Sequence, residues 1–243
     1  MANLESTNSK NVEVITLNHK HANCLSIELL NFLESKLDEI EDNSLITSIV
    51  LKSANLSVFS SGADLNVYKN ARKQSEIADY LTRLGMLLLR LILYPKNVIA
   101  IVNGKSVDGA LGLIAASDYV IASEKALSKL PELTLGIAPS IISPFLRYKI
   151  GVANLKTLSF GADWVFAERL LQFGLYSEIV ASDDIEGRIE ALEAQFGNRE
   201  VQPIAKYKAS FYPDKNELSR NIESLAKDNA SWIWLAKEKG LFS

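Results

Sequence analysis

Two apolar periodicities succeed one another along the chain. In NVEVITL, residues 11–17, Val12, Val14 and Leu17 alternate with polar positions, as in a strand with one buried face. In SIELLNFLESKLDEIED the period changes: Ile27, Leu30, Leu33, Leu37 and Ile40 recur at helical spacing, with Ser26 placed to cap the first turn. LITSIVLKS, residues 45–53, returns to strand. A long helix is predicted over residues 75–94, SEIADYLTRLGMLLLRLILY, stopped by Pro95, and NVIAIV after it reads as a buried strand. GALGLIAAS looks like a helix of small residues, and DYVIAS and KALSKL like short strands. From about Asp163 the pattern is mainly helical, ending in NELSRNIESLAKDNASWIWLAKEKG. Strands alternating with helices predict an α/β fold with a mostly parallel sheet flanked by helices. There is no internal repeat and no low-complexity linker.

Composition narrows the function. A chain of 243 residues holds one α/β domain with a helical extension, and two large domains would be cramped. The net charge of −3, with no long basic run, gives no electrostatic basis for nucleic-acid binding. The polar start MANLESTNSK lacks a basic segment followed by an apolar one, so no signal peptide is expected. The longest apolar run, MLLLRLILY, is interrupted by Arg90 and is too short to span a bilayer. The single cysteine, Cys24, excludes an internal disulfide and a cysteine metal cluster. A cytoplasmic protein without a metal or a membrane partner is the expectation.

Three segments carry candidate chemistry. In SGADLNVYKN, Gly62 permits a tight turn after the apolar LSVF and Asp64 can cap the next helix; alternatively, small residues there let a substrate touch the backbone. In VNGKSVDGALGL a buried strand leads through Gly104, Gly109 and Gly112 into a helix whose first amides point outward and can bind negative charge. The spacing does not fit the dinucleotide fingerprint Gly-x-Gly-x-x-Gly. In LPELTLGIAP, Glu132 follows Pro131 among apolar neighbours. Such a carboxylate either satisfies free amides at a helix start or has its proton affinity raised for acid/base work.

The order and separation of these segments resemble the crotonase superfamily, also called the enoyl-CoA hydratase/isomerase family. LNHKHANCLS resembles its Asn-Arg-Pro…Asn-Ala-Leu segment, FSSGADL its first oxyanion loop, VNGKSVDGALGLIAASDYVIAS its second, and LPELTLGIAP its catalytic-glutamate segment. The resemblance implies a spiral of ββα units over residues 1–195 and a C-terminal helical trimerisation region over residues 196–243, forming a homotrimer or a pair of trimers. It implies acyl thioesters as substrates, on coenzyme A or on the phosphopantetheine of an acyl carrier protein, with no separate cofactor. The amides of Ala63 and Gly109 would hold the thioester oxygen, with Gly62 and Asp64 beside them and Glu132 transferring the proton.

The pattern departs from the family in two places. Gly112 stands where typical hydratases carry their first glutamate, and the usual Gly-Gly-Gly reads Asp108-Gly109-Ala110. Asp108 either replaces the missing acid/base or is a tolerated, solvated substitution, and the second reading is favoured. GIAPSIISPFLRYKIG and PIAKYKASF resemble methylglutaconyl-CoA hydratases and the dehydratases of polyketide β-branching. Reversible hydration and dehydration of a branched, glutaconyl-type chain is therefore expected, with a double-bond isomerase or a non-catalytic thioester-binding protein as alternatives. His19 and His21 are expected in a surface turn, Lys20 either beside a coenzyme phosphate or solvated, and Cys24 buried. Tyr68 and Lys69 lack the spacing of a related decarboxylase branch, and Trp232 and Trp234 are expected to pack or to form subunit contacts.

Overall fold

A computed structural model describes residues 5–9, 11–197, 199–212 and 214–242. β1 (Glu5–Ser9) pairs antiparallel with β2 (Val12–Leu17). A short turn, α1 (Lys20–Asn23), leads to α2 (Ile27–Glu41), capped as expected by Ser26, whose Oγ accepts the Leu29 amide at 3.2 Å. Next come β3 (Ser48–Ser53), β4 (Val58–Ser60), α3 (Leu65–Asn70) and α4 (Gln74–Leu93). β5 (Asn97–Val102), β6 (Lys105–Val107) and α5 (Gly109–Ala116) repeat that order, and β7 (Tyr119–Ser123) and β8 (Leu127–Lys129) begin it again. A 3₁₀ turn at Glu132–Leu135 precedes α6 (Ser143–Gly161). β9 (Val165–Phe166), α7 (Ala167–Phe173), β10 (Glu178–Val180), α8 (Ile185–Phe196), α9 (Val201–Phe211) and α10 (Lys215–Glu238) complete the chain.

Successive strands of each repeat go to different sheets, which makes the fold a spiral. β3, β5 and β7 lie parallel within the six-stranded sheet β1-β2-β3-β5-β7-β10, while β4, β6 and β8 lie parallel within the four-stranded sheet β4-β6-β8-β9. Both faces of the large sheet are buried. In β5, Val98, Ala100 and Val102 face the main core under α2, α4 and α5, and Ile99 and Ile101 face a second core closed by Ile185, Ile189 and Leu192 of α8. This two-sided burial explains why NVIAIV is an unbroken apolar run. No helix among the described residues is long and apolar enough to cross a membrane.

The region after Asp163 is mainly helical, as expected, and it also contributes two short strands. β10 adds a parallel strand beside β7, and β9 adds an antiparallel one beside β8. Elements of two and three residues are too short to show a period, so only their long-range partners define them.

The small sheet positions the site. Ser60, Ser106 and Ser128 stand in register across its three parallel strands, all fully buried. The carboxyl ends of those strands therefore deliver Gly62 and Ala63, Asp108 and Gly109, and Glu132 next to one another. The loops at the carboxyl ends of parallel strands are where such folds assemble ligand sites.

Candidate active site

The first two loops touch through their backbones. Gly62 has φ +84°, and a Cβ there would lie 2.3 Å from the Val107 carbonyl oxygen and 2.8 Å from Asp108 Cβ. A Cβ on Gly109 would lie 2.9 Å from Leu25 Cδ1 and 3.4 Å from the Ala63 nitrogen. Glycine is thus required at Gly62 by backbone contact and by conformation, whereas at Gly109 an added Cβ would press on the end of the Leu25 side chain. The small residues bring the amides of Ala63 and Gly109 into one neighbourhood. Asp64 acts outside it as a helix cap, its Oδ1 accepting the Asn66 amide at 2.9 Å. The Tyr80 hydroxyl accepts the Asp64 amide at 3.0 Å and donates to the Leu25 carbonyl at 2.8 Å, tying the loop to the start of α2.

The turn before α2 is the loop's other anchor. His21, Ala22 and Asn23 all have left-handed backbones, with φ of 52°, 56° and 57°. Each such residue costs about 1–2 kcal/mol. The cost is offset by contacts that grip the loop. Asn23 Nδ2 donates to Ser53 Oγ at 2.9 Å and the Phe59 carbonyl at 3.0 Å, the Ser61 amide donates to the Ala22 carbonyl at 2.9 Å, and the Leu25 amide donates to that of Gly62 at 2.7 Å.

Asp108 is not the solvated substitution favoured from the sequence. Its carboxylate turns inward and accepts the Ala63 amide at 3.0 Å, so that amide is already engaged by a side chain of this protein. Its own backbone has φ +51° and ψ −122°, a conformation that glycine adopts easily and other residues do not. The Ala63 amide that holds the side chain is 45 residues away in sequence, which is why local pattern gave no sign of it.

Glu132 retains 4% exposure, and neither carboxyl oxygen accepts a hydrogen bond from a donor among the described residues. Burial, reinforced by the charge of Asp108 and by a hydrogen bond from the protonated Glu132 carboxyl to the Asp108 carboxylate, holds its proton affinity well above the ordinary carboxylate range. Ala63, Asp108 and Glu132 line a cavity of about 20 Å³ with Tyr68, Ile137 and Asn229. That is room for one water, which needs roughly 10–15 Å³ by this measure.

The other sequence candidates fall around this centre. Lys20 is exposed and lines a separate cleft of about 310 Å³ with His19, His21, Cys24 and Asp64, on the outer side of the Ala63 loop. His21 is exposed as expected, but His19 is half-buried, its Nε2 2.8 Å from Ser26 Oγ. Gly112 leaves no space for the absent glutamate, since a Cβ there would lie 2.8 Å from both Ile142 Cγ2 and Leu88 Cδ1. Tyr68, set aside on spacing, belongs to the cavity, whereas Lys69 is exposed. Trp232 is exposed and the indole of Trp234 donates to Glu238 Oε1 at 2.8 Å. Asn229 was missed altogether. The signal was a polar residue on the otherwise apolar stripe of Ile222, Ala226, Ala230, Ile233 and Ala236.

The sequence profile of the enoyl-CoA hydratase/isomerase family matches residues 7–231. The chain belongs to this family. A Bacillus subtilis protein named a probable enoyl-CoA hydratase is 31% identical over 84% of this chain and 80% of its own length. The 2,3-dehydroadipyl-CoA hydratase of Escherichia coli is 31% identical over 75% of this chain and 71% of its own. Among solved structures, an enoyl-CoA hydratase from Bacillus halodurans superimposes with a TM-score of 0.90 over 98% of both chains at 23% identity, which shows the common fold. The expected crotonase-type spiral is the fold of this protein, as of that family member.

Proposed function

We propose that this enoyl-CoA hydratase/isomerase family member catalyses reversible hydration and dehydration of a 2-enoyl and 3-hydroxyacyl thioester, with Glu132 as the proton carrier. The observation that carries the reading is the convergence of Ala63, with the Gly109 backbone beside it, and one buried carboxyl group that no donor among the described residues satisfies, Ala63 and the carboxyl lining a single cavity. In the dehydration direction the thioester oxygen displaces Asp108 from the Ala63 amide. In the molecules in which Glu132 is ionised, its carboxylate removes the C2 proton. Negative charge moves onto the thioester oxygen, where preorganised amides stabilise it better than water that must reorient. Glu132 then returns the same proton to the C3 hydroxyl, the C3–O bond breaks, and water leaves as the C2=C3 bond forms. The high proton affinity of Glu132 suits it to this exchange with a carbon acid.

The motif resemblance supports a branched, glutaconyl-type acyl chain, carried on coenzyme A or an acyl carrier protein in the manner of polyketide β-branching. Lys20, at the outer cleft, is then the residue offered to the carrier's phosphate. The exposed aromatic residues Tyr207, Phe211 and Trp232 on the last two helices support assembly as a trimer or a pair of trimers. Light scattering checks the assembly, and a monomer at all working concentrations overturns it.

The activity is tested with crotonyl-CoA and 3-methylglutaconyl-CoA. Loss of the conjugated double bond with formation of the 3-hydroxyacyl product is expected. A double-bond shift with no hydroxyl product would make the protein an isomerase. No turnover, with no deuterium entering the acyl chain, would make it a binding protein.

A further inference from the structure

Glu132 is not the only polar group at this cavity whose oxygen is satisfied by no donor among the described residues. Asn229, on α10, retains 4% exposure, lines the same space, and its Oδ1 accepts no hydrogen bond from any described residue. A buried amide oxygen left without a donor is destabilising, and a leucine of similar size would suit the apolar stripe better. Polar groups kept against local preference mark functional positions.

The helix that carries Asn229 is held firmly. Asp214 caps its first turn, accepting the Glu217 amide at 2.8 Å. Ile222 packs against Gly85 of α4 so closely that a Cβ on Gly85 would lie 2.5 Å from Ile222 Cγ2. Farther along, Lys237 donates to the Ala71 carbonyl, and Phe242 packs on Tyr68 with ring centroids 5.8 Å apart. Asn229 therefore reaches the cavity from a fixed scaffold.

We propose that Asn229 orients the water that adds to C3, standing in for the second carboxylate that Gly112 lacks. The proposal rests on the hydration reading above. A water in the cavity gives one proton toward Asn229 Oδ1 and the other toward Glu132, leaving a lone pair for C3. On addition, the O–H bond facing Glu132 breaks, the C3–O bond forms, and Glu132 passes the proton to C2. The hydrogen held by Asn229 stays on the new hydroxyl. A neutral amide accepts that hydrogen without taking the proton, so Glu132 remains the sole carrier.

Two probes separate this role from the rest of the site. Hydration of crotonyl-CoA requires the oriented water, whereas exchange of the C2 protons of butyryl-CoA with deuterium oxide requires only Glu132 and the amides. In Asn229→Leu we expect hydration to fall at least about thirtyfold, within the range for a misplaced reacting group. Exchange should stay within about threefold and the melting temperature should rise, because an unpaired buried oxygen is gone. Asn229→Asp keeps an acceptor at the same place and should hydrate at least about tenfold faster than Asn229→Leu. Hydration within threefold of wild type in a folded Asn229→Leu protein overturns the proposal, as does an equal loss of hydration and exchange. If the unaltered protein neither hydrates crotonyl-CoA or 3-methylglutaconyl-CoA nor exchanges butyryl-CoA, the hydration reading itself fails and the assignment falls with it. Hydration by the wild type that Asn229→Leu matches removes the assignment of Asn229 alone.

Discussion

Two regions of this protein bury ionisable groups and treat them in opposite ways. At one, Lys208 of α9 retains 5% exposure but donates to Asp118 Oδ2 at 2.6 Å and to the carbonyls of Lys96 and Leu91 at 3.1 and 3.3 Å. Asp118 also accepts the Val98 amide at 2.8 Å, and nearby Lys149 donates to the Ser117 carbonyl at 2.7 Å. At the other, no donor among the described residues reaches either oxygen of Glu132 or the oxygen of Asn229. Burial shifts proton affinity in both: the two lysines are pushed down, and Asp118 and Glu132 up. A perturbed proton affinity alone therefore does not distinguish a structural clasp from a reactive site. What differs is the pairing: the clasp groups meet donors and acceptors, whereas Glu132 and Asn229 present acceptors that no donor among the described residues satisfies.

The strongest way to break this contrast is at the reactive end. Glu132→Gln preserves shape but cannot exchange a proton, so turnover should fall at least about a hundredfold while thioester affinity changes little. Steady-state rates and calorimetric binding check both halves. Unchanged turnover would leave the buried carboxyl without a role.

At the clasp, Lys208→Met should leave catalysis per folded molecule intact and cost about 2–3 kcal/mol, measured by urea unfolding. This is below the usual 3–5 kcal/mol for a broken buried pair because the Asp118 side chain keeps 32% exposure. A loss of turnover at full folding would make that cluster functional after all.

The third prediction uses pH. Glu132 holds its proton more tightly folded than unfolded, so the folded state binds more protons between the unfolded value near 4.5 and its raised folded value. Stability from this group is full below that window and declines as pH rises through it, by at most about 1.4 kcal/mol per pH unit. Glu132→Gln should therefore flatten the loss of melting temperature between pH 5 and 8. An unchanged slope would mean that Glu132 is solvated in solution.

The smallest expected change is in turnover of Asp108→Asn. If Asp108 only occupies the hole at rest, turnover should fall less than about tenfold, and KM should drop because a neutral amide competes less well than a carboxylate for the Ala63 amide. A loss as large as that of Glu132→Gln would instead show that two carboxylates share the chemistry.

Much of this protein was legible in its sequence because much of it is local. Period-2 and helical spacing marked β2, α2, β3, α4 and β5, since each has a face or run whose burial demands that pattern. Gly62, Gly109 and Glu132 could be picked out because a tight turn, a close backbone approach and a carboxyl among apolar residues each constrain the residue type at one position. β1, β9 and β10 were not visible: β1 is polar and exists by pairing with its neighbour β2, and β9 and β10 are too short to show a period and exist by pairing with strands far back along the chain. The inward turn of Asp108 and the arrival of Asn229 were likewise decided by tertiary structure. A side chain's chemical character is written at its own position. Whether it meets solvent, a partner or an empty acceptor depends on which distant backbone folds against it, and no local pattern records that.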